Sequence, residues 1–149
     1  MMMQGRYGEK FIGIDAFDYY DSEIDPVSGL RVDFETAQEN VRLLNSFGHS
    51  FKLVEGDSHD TAICEHVGSE LEFVDILLLD GDHSASGVTK DFQMYSDLVR
   101  TGGFLAIDDY DSCWKEVKPA VKALDKSGWH FVGAIGHPGI GYLYILQRE

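Results

Sequence analysis

The sequence predicts one doubly wound α/β domain across residues 1–149, and three observations predict it. Short apolar runs alternate with stretches of helical periodicity from Phe11 onward. The strongest runs, 76–79 within the strand 74–79 and 104–107, are apolar at successive positions, as expected of parallel strands buried on both faces. No repeat, low-complexity tract or interdomain linker breaks the alternation, and 149 residues suit a single core.

The elements follow in order. Residues 11–14 read as a buried strand closing on Asp15. The stretch 21–29, rich in Asp, Ser, Pro and Gly, reads as a loose connection. Phe34, Ala37, Val41 and Leu44 recur at helical spacing, with Asp33 as N-cap and Gly48 as stop. Residues 51–54 form a second strand ending at Gly56-Asp57-Ser58, and a weak helix covers 61–67. The strand 74–79 runs into Asp80-Gly81-Asp82-His83. Val88, Phe92, Tyr95 and Val99 give the next helix face, capped by Ser84 or Ser86. Gly102-Gly103 turns the chain into strand 104–107, which ends on Asp108-Asp109. Val117, Val121 and Leu124 mark a last helix, in which Pro119 is tolerated only in the first turn. Residues 129–135 and 142–146 read as two strands joined by 137–141, a closing antiparallel hairpin.

Composition narrows the function classes. The chain carries 12 Lys+Arg against 26 Asp+Glu, a formal net charge of −14, which repels polyphosphate and anionic membrane surfaces. Nucleic acid and membrane are therefore not expected partners. No apolar run approaches the roughly 20 residues that span a bilayer, and no signal-peptide pattern opens the chain. Two cysteines without metal-ligand spacing point to a reducing cytoplasm.

The positions of the acids carry more than their number. Four predicted strands end on an acid: Asp15, Asp57, Asp80 and the pair Asp108-Asp109. Ligands of open α/β sheets bind outside the carboxyl ends of the strands, so these carboxylates are expected on one rim. Crowded like charges call for a cation or a hydroxyl-rich ligand between them. Asp80-Gly-Asp82 allows three chemistries. It resembles the DxD of nucleotide-sugar glycosyltransferases, in which two acids hold a metal against a diphosphate. An EF-hand loop fails, because Ala85 stands where glycine is required. Asp80 with Asp108 and Asp109 forms an all-oxygen set suited to Mg²⁺. His83, three residues after Asp80, is placed to act as a general base at the same rim. His49, His59, His66, His130 and His137 read as surface or turn residues. Trp114 and Tyr110, following the acid pair, either wall a pocket or join the core of the next helix.

The block from Val74 through Asp80-Gly-Asp-His83, with Gly87, Val88, Asp91, Tyr95, Gly102-Gly103 and Ile107-Asp-Asp109, resembles class I S-adenosylmethionine-dependent methyltransferases. The group most resembled is that of the macrolide-sugar O-methyltransferases. The resemblance implies a Rossmann-like, mostly parallel sheet with S-adenosylmethionine as cofactor. By the same resemblance Asp15 receives the cofactor's ribose hydroxyls, and Asp57 and Ser58 lie along its adenine. Asp80 borders the cofactor and, with Asp108 and Asp109, ligates Mg²⁺. His83 takes the proton of a small-molecule hydroxyl acceptor.

One departure from the family pattern is large. Its first strand and helix, with the glycine-rich turn between them, normally stand at the centre of the sheet. Only the polar segment 1–10 precedes Phe11 here. The expectation is either a gap or direct pairing of 11–14 with 74–79, in a chain that works as a homo-oligomer or with a completing partner chain. The same departure supports an alternative, a catalytically inactive methyltransferase-like interaction module. The Asp80/Asp82 glycosyltransferase is the other.

Overall fold

The computed structural model describes residues 2–5, 10–17, 33–138 and 140–149. The loose stretch 21–29 lies outside the described residues. Strands β1 (Met2–Gly5), β2 (Lys10–Asp15), β3 (Ser50–Glu55), β4 (Val74–Leu79), β5 (Val99–Tyr110), β6 (Trp129–His137) and β7 (Gly141–Arg148) form one sheet, ordered β3-β2-β1-β4-β5-β7-β6. Helices α1 (Phe34–Asn45), α2 (Thr61–Leu71), α3 (Ala85–Tyr95) and α4 (Val117–Ala123) alternate with them. The predicted α/β class is found.

β2 pairs parallel with β3, and β4 parallel with β5. β7 runs antiparallel to both β5 and β6, the expected closing hairpin. The centre is where the structure departs from both expectations. β1 lies between β2 and β4 and is antiparallel to each. There is neither a gap nor direct pairing of β2 with β4. A parallel strand in that place needs a crossover of a dozen or more residues, whereas an antiparallel one needs only a short reversal. Met2-Met-Gln-Gly5 is too short and too weakly patterned to declare itself as a strand. Its pairing direction leaves β2, β3, β4 and β5 pointing the same way, so their C-terminal ends share one rim.

Local chemistry explains the element ends. The Asp33 carboxylate accepts the Thr36 N–H at 2.7 Å and starts α1. Ser84 caps α3, accepting the Gly87 N–H at 3.0 Å. α2 runs to Leu71, past the expected end, because Val67 and Leu71 both reach the core. Gly102-Gly103 is a bulge within β5 rather than a turn before it: the register slips between Val74 and Ile76 of β4, and Gly102 takes φ +76°. Pro119 sits in the first turn of α4, where its missing N–H costs no helical bond.

The core joins Leu77, Leu79, Leu105, Ile107 and Leu146 of the sheet to Val67, Val88, Phe92, Tyr95, Val117 and Val121 of the helices. Burial on both faces is not complete. Ile76 and Phe104, partners across β4 and β5, are 43% and 38% exposed. α1, which packs along β3, buries no residue fully.

Candidate active site

Each strand-end acid is where the sequence placed it. Asp15 is the last residue of β2, Asp57 follows β3, Asp80 follows β4, and Asp108 and Asp109 lie near the end of β5. Their side chains do not all converge. The Asp15 carboxylate accepts the Phe17 N–H at 2.9 Å, and that of Asp57 accepts the His59 N–H at 2.8 Å. Both are local turn bonds on exposed residues.

Among the described residues, the group able to surround one cation is Asp80, His83 and Asp109, with ligand atoms all within 4.8 Å of one another. His83 Nε2 lies 2.8 Å from Asp109 Oδ2 and 3.6 Å from Asp80 Oδ1. The ring stacks on Trp114, with centroids 4.7 Å apart and planes 11° from parallel. Trp114 thus walls the site rather than joining the core. Nε2 is shut off from solvent yet makes no hydrogen bond of good geometry. The two carboxylates fit a divalent cation, and the orphan imidazole nitrogen has one lone pair, which either joins them as a ligand or accepts a proton, each role excluding the other. Asp108 stands outside the group and its Oδ1 accepts the Asp109 N–H at 2.8 Å. Burial, then the negative charge of Asp108, pushes the Asp80 carboxyl above its ordinary range.

The backbone at the end of β5 sets the Asp109 carboxylate. Asp109 and Asp111 both adopt left-handed φ, +55° and +64°, a conformation in which Asp is several-fold enriched among non-glycine residues. Gly141 permits this turn: a Cβ there would stand 2.9 Å from Ser112 Cβ and 3.3 Å from Asp109 Oδ1. Asp82 does not join Asp80. Its carboxylate accepts the Ser84 N–H and Oγ–H, each at 2.8 Å, so it is spent at the start of α3. Those bonds hold its carboxyl below the ordinary range.

A second cluster on the rim joins Ser58 to Asp91, Tyr95 and His59, none of these three a predicted site residue. Asp91 on α3 is almost wholly buried, its side chain 3% exposed, and accepts the Ser58 Oγ–H at 2.8 Å. Tyr95 donates its hydroxyl to the Ser58 carbonyl at 2.6 Å. His59, read as a surface residue, is only 15% exposed, with Nε2 3.3 Å from Asp91 Oδ1. Its Nδ1 lies 3.7 Å from Asp57 Oδ1. The other four histidines are exposed as expected. Burial raises the Asp91 carboxyl against the opposing Ser58 bond and His59. Gly81 completes the junction: a Cβ would fall 2.9 Å from Asp91 Oδ2. The overlooked signal was an acid on the apolar stripe of α3, between Val88 and Tyr95.

Comparison with known proteins adds the following. A sequence profile described as "Methyltransferase domain" matches residues 3–110. An uncharacterized protein of Acanthamoeba polyphaga mimivirus is 31% identical over 126 residues, 83% of this chain and 52% of that protein. The chain thus spans about half the length of the curated relative it matches. CalS11, a calicheamicin methyltransferase, superposes with TM-score 0.60 at 18% identity, covering 89% of this chain and 59% of that one. SMU.1697c of Streptococcus mutans, solved with S-adenosylhomocysteine, superposes with TM-score 0.57 at 16% identity, covering 99% and 92%. At these identities the likeness shows the fold.

Proposed function

From its membership of the class I S-adenosylmethionine-dependent methyltransferases, established by the profile match over residues 3–110, we propose that this chain transfers the methyl group to a hydroxyl of a small molecule, assisted by a divalent cation. The observation that carries the finer reading is His83 Nε2, held between the Asp80 and Asp109 carboxylates against Trp114. CalS11 is described as a TDP-rhamnose 3′-O-methyltransferase, which supports a sugar hydroxyl as acceptor. The free cysteines Cys64 and Cys113 suit a reducing cytoplasm. No helix among the described residues is long and apolar enough to cross a membrane.

Methyl transfer from a sulfonium is an in-line displacement. The acceptor oxygen forms its bond to the methyl carbon as the carbon–sulfur bond breaks, and S-adenosylhomocysteine leaves with the electron pair. The hydroxyl proton passes to His83 Nε2. Asp109, 2.8 Å from that nitrogen, stabilises the imidazolium once the proton has arrived, and Trp114 fixes the ring plane and covers one face. Asp80 and Asp109, with Asp108 behind them, would hold Mg²⁺. Such an ion lowers the pKa of a hydroxyl and orients it. Asp15 and the turn 57–58 take the adenosine part of the donor, and acidic groups suit a donor carrying a sulfonium. Nucleic acid is not the acceptor in this reading, given a net charge of −14.

The test is calorimetric titration with S-adenosylhomocysteine, with and without Mg²⁺, on wild type and Asp80→Asn. Binding by the wild type, with a Mg²⁺ dependence that Asp80→Asn removes, is the expected result. A folded wild type that takes up no S-adenosylhomocysteine would sink the reading for this chain alone. Such a result would leave it as a partner-completed or non-catalytic module.

A further inference from the structure

Beyond the acid rim, the sheet end carries a patch of the opposite sign. A cavity of about 280 Å³ opens beside the start of α4, lined by Ser112, Trp114, Lys115, Lys118 and Lys122 with a single acid, Asp111. Three of the chain's 12 basic residues therefore meet at one cavity, in a protein with 26 acids. Lys118 Nζ is 2.6 Å from Asp111 Oδ2 and lies 5.6 Å from the Tyr110 ring centre. Lys115 donates to the Ser112 carbonyl at 3.0 Å. Lys122 is exposed and makes no hydrogen bond or ion pair among the described residues. The Lys118 hydrogen bond, with the charges of Lys118, Lys115 and Lys122 behind it, holds the Asp111 carboxyl below its ordinary range.

One carboxylate balances one of the three lysines, and the remaining positive charge favours an anion there, the more so at low salt. Ammonium groups on flexible stems act as point charges that close on a phosphate. The position links the patch to the proposed chemistry. Trp114 lines the cavity, and the same indole stacks on His83 at 4.7 Å. The cavity and the proton acceptor are thus one aromatic ring apart. Its volume has room for a phosphate or diphosphate group.

We propose that this lysine-lined cavity binds the phosphate group of a phosphorylated acceptor, a sugar phosphate or a nucleoside diphosphate sugar, and sets its hydroxyl at His83. This rests on the methyl-transfer reading for its meaning, while the anion site is measurable alone. The assignment gives an otherwise anion-repelling chain one place at which an anionic substrate can dock.

The test titrates pyrophosphate, inorganic phosphate and uridine diphosphate into the full chain without divalent cation, with and without S-adenosylhomocysteine. The variants are Lys122→Gln and Lys115→Gln/Lys122→Gln, all at exposed positions. Pyrophosphate is expected to bind the wild type, and the double variant to weaken it roughly tenfold or more. Its affinity should also fall as salt rises. S-adenosylhomocysteine affinity should stay within about twofold throughout. Tighter binding of uridine diphosphate than pyrophosphate would assign a nucleotide-linked acceptor, and equal binding a sugar phosphate. Pyrophosphate binding that is absent, or unchanged in the double variant, overturns the proposal. Loss of S-adenosylhomocysteine affinity in step with pyrophosphate also overturns it, by assigning the lysines to the donor. A wild type that binds pyrophosphate but no S-adenosylhomocysteine counts against the methyl-transfer reading and leaves the anion site standing.

Discussion

His83 and His59 occupy corresponding turns, each following a strand of the same rim and each facing two carboxylates, yet they are built for different work. The acids of His83 come from turns at the ends of two strands and remain open: Asp80 is 45% and Asp109 26% exposed. A cation or a substrate hydroxyl can reach between them. The principal acid of His59 is Asp91, carried on a helix and 3% exposed, with one oxygen already taken by Ser58. That cluster is closed. The difference teaches that a histidine–carboxylate pair on a ligand-binding rim is reactive or supporting according to what else its acid holds.

The largest effect should separate the two histidines by rate. His83→Ala is expected to lower methyl transfer by about 10²–10⁴-fold, the usual contribution of a positioned base. His59→Ala should cost less than roughly tenfold. Both are read as S-adenosylhomocysteine release over a panel of phosphorylated and free sugars. Comparable losses would erase the distinction.

Stability should separate the acids in the opposite sense. Asp91→Ala leaves the Ser58 hydroxyl without its acceptor in a buried setting, a loss of about 1–3 kcal/mol in urea unfolding. Asp109→Asn, which keeps a residue type tolerated at left-handed φ, should cost less than about 1 kcal/mol at this half-open position. Asp91→Asn refines this. The raised carboxyl of Asp91 means that the folded state holds its proton more tightly than the unfolded chain does. That contribution is full below the ordinary Asp value of about 3.9 and is lost as pH rises through the raised value. The stability of Asp91→Asn relative to wild type should therefore climb from acid toward neutral pH. A difference that stays flat would mean that Asp91 is not penalised by burial. The smallest effect is Trp114→Leu, which removes a ring stack worth about 0.5–1.5 kcal/mol and should show in the His83 ring resonances by NMR.

Much of this was legible because strand ends and caps are written locally. Asp33 and Ser84 start their helices by bonding N–H groups three residues on, so position alone reveals them. Asp80, His83 and Asp109 were found from the rule that parallel strands deliver their ends to one edge. The role of Asp91 depends on Ser58, 33 residues away, and no local pattern announces such a bond. Asp108 stands outside the cation-capable group with its Oδ1 accepting the neighbouring Asp109 N–H, a bond that strand-end position does not announce. The central strand was missed for a different reason. Four weakly patterned residues become a strand only because two open edges are there to receive them.

That strand also has a consequence for cooperativity. Among the described residues, β2 and β3 are joined to the β4-β5-β7-β6 block of the sheet only through β1. The sheet is two slabs held by one short stitch. Asp15 and Asp57 belong to the first slab, and Asp80, His83 and Asp109 to the second. The Ser58–Asp91 and Tyr95–Ser58 bonds form a second fastening between them. A donor laid from Asp15 to Asp80 would act as a third clasp. Amide exchange along β1 then gauges how firmly the slabs are closed, slowing when S-adenosylhomocysteine binds and quickening when Asp91 is truncated.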